Sequence, residues 1–202
     1  MLRTLSALLK ASRHQLRFFL VVLLGYLVQV CVMPYLKVNG VTPSMLFVVV
    51  AVITVGYDRW RTLWVGCIYG ILMELMLPSL KMLNLLFYPI SALFCSLAFA
   101  DMSEKRLEMR RSLNQNARNM NPYLRTVLCA AANTILYEVV NVVYIYLGGA
   151  ELSSATFARC LTNVLMTSGL AFLLMLPIRR YLGFRKQKKD KQPEHHYTLD
   201  RI

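Results

Sequence analysis

Six apolar runs, each close to the length that crosses a lipid bilayer, punctuate this chain, at about 17–36, 42–57, 60–77, 82–100, 124–147 and 158–178. A helix rises 1.5 Å per residue, so a hydrocarbon core about 30 Å thick asks for roughly 20 mostly apolar residues per crossing. Composition agrees with that reading: 57% of the 202 residues are apolar and only 16% are charged, and the mean hydropathy is +0.48. A soluble domain is nearer half apolar and a quarter charged, and a chain of this length cannot enclose such an excess in one aqueous core. The sequence therefore predicts an all-α membrane protein, a six-transmembrane-helix bundle forming one domain over 17–182. A cytoplasmic amphipathic segment at 1–16 precedes it and a basic tail at 183–202 follows.

The basic residues set the orientation. Of the 23 Lys and Arg residues, 20 fall in four regions: the N-terminal stretch, the link after the second run, the connection after the fourth, and the C-terminal tail. The alternate connections carry only Lys37, Lys81 and Arg159. By the positive-inside rule the crowded side is cytoplasmic, which puts both termini inside. The same alternation turns the net charge of +13 from a nucleic-acid signal into a membrane-orientation signal, and no nucleic-acid partner is expected. Tyr35, Tyr57, Trp60, Trp64, Tyr123, Tyr146 and Tyr181 lie near run ends, where amphipathic rings favour the headgroup region. Residues 1–15, with Leu2, Leu5 and Leu9 on one side and Arg3, Lys10 and Arg13 mostly on others, can lie on anionic lipid. No small-x-small cleavage site follows the first apolar run, so it reads as a membrane helix rather than a secretory signal.

The five cysteines are widely spaced, with no C-x-x-C pair, and read as small buried hydrophobes. Polar groups inside membrane segments are costly and so are the places to look for function. Gly66, Gly70 and Glu74 share one face of the third segment, and small residues at that spacing admit a second helix closely. Asn84 opens the fourth segment, Glu138 and Asn141 share a face of the fifth, and Arg159 and Asn163 enter the sixth. Glu74, Asn84, Asn141, Arg159 and Asn163 fall in the expected outer half, with Glu138 nearer the midplane. Two readings stand side by side: a polar pocket or partner-docking surface, or interhelical hydrogen bonds that fix the bundle. Arg159 can neutralise either Glu74 or Glu138. There is no Walker loop, H-E-x-x-H, G-x-S-x-G or dinucleotide fingerprint, and the three histidines all lie in the tails. The sequence predicts no enzyme, no cofactor and no metal.

Thr42-Pro43-Ser44-Met45-Leu46 opening a Val-rich helix, Gly66-x3-Gly70-Ile71-Leu72-Met73-Glu74-Leu75, Leu83-Asn84-Leu85-Leu86-Phe87-Tyr88-Pro89 and Thr162-Asn163, in that order, resemble the MreD family of bacterial rod shape-determining membrane proteins. The resemblance covers about 18–182. Glu74 stands where the family usually has Asp, and Leu83 where it commonly has Gly. The resemblance implies a non-enzymatic component of the cell-elongation complex in the cytoplasmic membrane. Its expected partners are MreC, a membrane-anchored periplasmic protein, and, directly or through it, the MreB filament and the cell-wall synthases. The family is also similar to the substrate-binding subunits of energy-coupling-factor vitamin transporters, so a small-molecule uptake subunit is the alternative. Such a subunit needs a longer exterior loop to close its pocket than the few residues available here.

Overall fold

A computed structural model of the chain describes residues 2–38, 40–57, 59–76, 82–100, 121–149 and 153–183, with side chains from residue 15 onward. The Asn-rich connection after the fourth segment and the basic tail lie outside the described residues, as do Lys37's neighbour Asn39 and the loop residue Lys81. Apart from one antiparallel bridge between Val38 and Val41, the described structure is helical. It comprises α1 (Leu2–Cys31), a 3-10 turn (Met33–Tyr35), α2 (Met45–Gly56), α3 (Arg59–Met76), α4 (Leu83–Phe99), α5 (Pro122–Leu147) and α6 (Ser154–Leu182). The expectation of an all-α membrane protein holds at this level. The segments Gln15–Tyr35, Pro122–Leu147 and Ser154–Leu182 are long and apolar enough to cross a bilayer. Helices α2 and α4 are apolar but shorter, and α3 carries Arg59, Arg61 and Glu74 within its 18 residues.

Large apolar side chains face outward on most of these helices. Leu23 is 57% exposed, Phe94 61%, Leu165 63% and Leu173 69%. Helices that are apolar on both faces need apolar surroundings on both faces, which lipid hydrocarbon supplies.

Contacts along the helices show that each runs antiparallel to the one before it. Phe18 near the start of the long apolar part of α1 meets Tyr57 after α2, while Gln29 near the end of α1 meets Met45 at the start of α2. Gly66 and Gly70 of α3 meet Tyr88–Pro89 and Asn84–Leu85 of α4 in reversed order. Phe87 of α4 packs on Tyr137 of α5, and Asn163 of α6 bonds Glu138 of α5. Arg179, late in α6, lies over Tyr123 at the start of α5. One end of the bundle therefore collects Arg61, Arg125, Arg179 and Arg180.

The centre of the bundle is α2. Every residue from Met45 to Val55 is buried, and the helix is packed by all five others. Phe47 fills the middle, stacked on Tyr88 with ring centroids 5.3 Å apart and tilted against Tyr137 at 5.5 Å.

Several element boundaries differ from the sequence expectation for identifiable reasons. The backbone of α1 carries no break near residue 16, so the amphipathic segment and the first apolar run are one helix. It ends at Cys31 rather than 36, because Pro34 has no N–H to donate to Val30, and a 3-10 turn takes over. Pro43 does not sit in the first turn of α2; Ser44 is the extended N-cap and the helix starts at Met45. At the far end, Gly183 takes φ +73° and closes α6 by bonding back to Arg179 and Arg180, a left-handed cap that glycine adopts without steric cost.

Candidate functional site

A buried helix that starts inside a bundle poses a problem, because its first N–H groups have no intrahelical acceptor. The N-terminus of α2 is in that position. The Ser44 N–H donates to Thr167 Oγ1 of α6 at 3.2 Å, and Thr167 lies 13 residues into α6, about 20 Å below its first turn. Irregular backbone packed this far along a bundle needs protein partners for its polar groups. The segment Val41–Ser44 is accordingly half-buried to buried.

Side chains from three neighbouring helices satisfy the site. Gln29 of α1 presents Oε1 to the Met45 N–H at 2.6 Å. Thr167 accepts from Ser44 and gives its own hydroxyl proton to Asn163 Oδ1 at 3.3 Å. Asn163 in turn donates through Nδ2 to Glu138 Oε1 of α5. Ser44 itself makes no side-chain cap. Pro43, buried just before it, has no N–H, which removes one donor that would otherwise need a partner at this depth. The chain Glu138–Asn163–Thr167–Ser44 thus runs from a carboxylate to the positive end of the α2 dipole, a favourable arrangement for negative charge. It joins α2, α5 and α6, and Gln29 adds α1.

The remaining sequence candidates fall elsewhere. Glu74 Oε1 accepts from the Met82 N–H at 2.8 Å, so the end of α3 caps the start of α4, where Met82 takes φ +62°. Neither Glu74 nor Glu138 is joined to Arg159 by an ion pair among the described residues. Arg159 is exposed and lies against the Gly40 turn, whereas Glu138 is taken by Asn163 and Glu74 by backbone. The expected neutralising pair is corrected accordingly: each carboxylate is held by hydrogen bonds that keep it away from the surface position of Arg159. Asn141 is half-buried on α5, and Asn84 is buried with its carbonyl turned to α3.

Gly66 and Gly70 form a close contact within the chain. A β-carbon on Gly66 would stand 2.9 Å from Ala92 Cβ and from the Tyr88 carbonyl oxygen; one on Gly70 would stand 3.0 Å from the Asn84 oxygen. Pro89 in α4 cannot donate to Leu85, and the Leu85 carbonyl faces Gly70 at this contact. The second helix that this small-residue face admits is the chain's own α4. What sequence reasoning passed over is Thr167. Its spacing of four from Asn163 places both on one face of α6, and that periodicity is the signal that marks it. No protein-family model, curated protein or solved structure matches this chain.

Proposed function

We propose that this protein is a non-enzymatic membrane scaffold of the bacterial cell-elongation complex, resembling the MreD family. In this reading it crosses the cytoplasmic membrane six times with both termini inside, and supports cell shape and lateral peptidoglycan synthesis through an MreC-like periplasmic partner. The observation that carries the choice over a vitamin-binding subunit is where the polar residues are spent. Glu138, Asn163, Thr167 and Gln29 hydrogen-bond one another or the α2 N-terminus, so they hold helices together. The opening between α4 and α5, about 310 Å³, is lined by apolar side chains such as Leu86, Phe87, Ile90, Phe94 and Leu136, with Ser91 alone polar. Ser91 bonds its own helix at the Tyr88 carbonyl. An apolar groove on the outer face suits a hydrocarbon-embedded partner segment, since close packing drives helix association in lipid.

Purification from native membranes in mild detergent, followed by identification of the proteins that accompany the chain, tests this reading. Recovery of a single-span periplasmic coiled-coil protein is the expected result. Recovery of an ATPase pair with a bound vitamin sinks the scaffold and supports the transporter subunit instead.

A further inference from the structure

At the arginine-rich end of the bundle, α1 and α3 run parallel and leave a slot between them. Arg61 lies over Phe18 of α1, and one to two turns further along Tyr69 Oη donates to the Val22 carbonyl at 2.9 Å, so the two helices enter the bundle in the same direction. The slot measures about 300 Å³ and is lined by Gln15, Phe18, Phe19, Arg61, Trp64 and Ile68. Its polarity is graded along the helix axes. Gln15 and Arg61 stand at the outer end, Phe18, Phe19 and Trp64 follow about one turn deeper, and Ile68 closes the far end. From Arg61 to Ile68 the axial drop is about 10 Å.

We infer that this slot seats one anionic phospholipid, with the phosphate at Arg61 and the upper part of an acyl chain along Trp64 and Ile68. Three features favour lipid over a protein segment. The polar-to-apolar order matches a lipid from headgroup to chain, whereas the helix-sized groove between α4 and α5 is apolar throughout its length apart from Ser91. The slot opens on the outer surface, where Phe19 is 60% and Trp64 65% exposed, the sides that bilayer hydrocarbon would meet. Finally, aromatic rings position the guanidinium: Arg61 Cζ lies 4.8 Å from the Tyr57 ring centroid and 5.9 Å from that of Phe18. A guanidinium held on a ring face keeps its planar fork of donors, which matches phosphate oxygens in a way a freely rotating ammonium does not. Arg59, two residues back and about 200° around the helix, is exposed and outside the slot, so the charge that matters is Arg61.

This inference rests on the membrane reading and not on the scaffold role, and its test needs no partner protein. The full-length chain is stripped of lipid in mild detergent and titrated with phosphatidylglycerol or phosphatidylcholine in mixed micelles, with bound lipid counted by native mass spectrometry. One phosphatidylglycerol per chain is expected, in preference to phosphatidylcholine. Arg61→Gln is expected to weaken that binding about fivefold, the weight of one basic residue near an anionic surface, while Arg59→Gln leaves it unchanged. Ile68→Trp keeps the charge and fills the deep end, and should release the lipid even if Arg61→Gln is poorly folded. Equal losses for Arg59→Gln and Arg61→Gln, equal affinity for the two lipids, or undiminished binding by Ile68→Trp would each overturn the assignment.

Discussion

Thr167 illustrates how one hydroxyl can serve two helices. It accepts from the Ser44 N–H and donates to Asn163, so Thr167→Val, nearly isosteric, leaves a donor and an acceptor unmatched at depth. The expected cost is about 1–2 kcal/mol, read as a lowered midpoint in thermal denaturation of detergent-purified protein. Gln29→Leu removes the other acceptor. Because the two acceptors serve neighbouring N–H groups of one helix end, the double variant should depart from additivity, which a double-mutant cycle measures. The glycines give a sharper contrast. Gly66→Ala places a methyl 2.9 Å from Ala92 Cβ and a backbone oxygen, and overpacking of that kind costs about 1–3 kcal/mol. Gly169, also helical, has nothing within 4 Å of a β-carbon, so Gly169→Ala should be neutral or slightly stabilising. A thermal-shift comparison of the two variants checks both statements together.

Among the elements, α2 and α4 show how much the sequence made legible. The Val-rich run of one and the apolar run of the other were enough to place both helices, and the glycine spacing was enough to predict a close helix contact on α3. What the sequence left open was the identity of the neighbour, since small residues lower the cost of approach for any helix that arrives. The chain's own α4 takes that place. In α2 the hydrophobic run is uniform, so periodicity carries no information about which side is buried; the answer is that all sides are. Phe47→Ala, at the crossing of α2 with α4 and α5, is therefore expected to cost about 3 kcal/mol. Leu173→Ala on the outer face of α6 should cost little when lipid replaces the lost contacts. Yield of monodisperse protein by fluorescence-detected gel filtration distinguishes the two.

On the scale of the whole molecule, the up-and-down order of the helices and the charge pattern meet. Arg61, Arg125, Arg179 and Arg180 gather at one end of the bundle, while Gln29, Glu74 and Asn84 approach the other. If the positive-inside rule orients this bundle, alkaline phosphatase fused after residue 39 or 150 should be active, and fused after residue 58 or 183 inactive. The reverse pattern in any one fusion removes a crossing from the proposed six. Burial on all sides explains why an apolar helix as short as α2 is tolerated. Twelve residues reach about 18 Å, too little for the hydrocarbon core, but α2 is sheathed by longer helices and its recessed end is reached by a protein-covered segment.

The sequence by itself determined that the chain is helical and membrane-bound in character, because hydrophobic run length is a local property that needs no knowledge of neighbours. It also singled out the polar residues Glu74, Asn84, Glu138, Asn141 and Asn163 as costly in apolar surroundings. Only the tertiary structure decided what they bond. Glu138 finds Asn163 across 25 residues and Ser44 finds Thr167 across 123, separations over which no periodicity extends. Partnership at that range is set by which helices pack around α2, and that packing is a property of the assembled bundle rather than of any one segment.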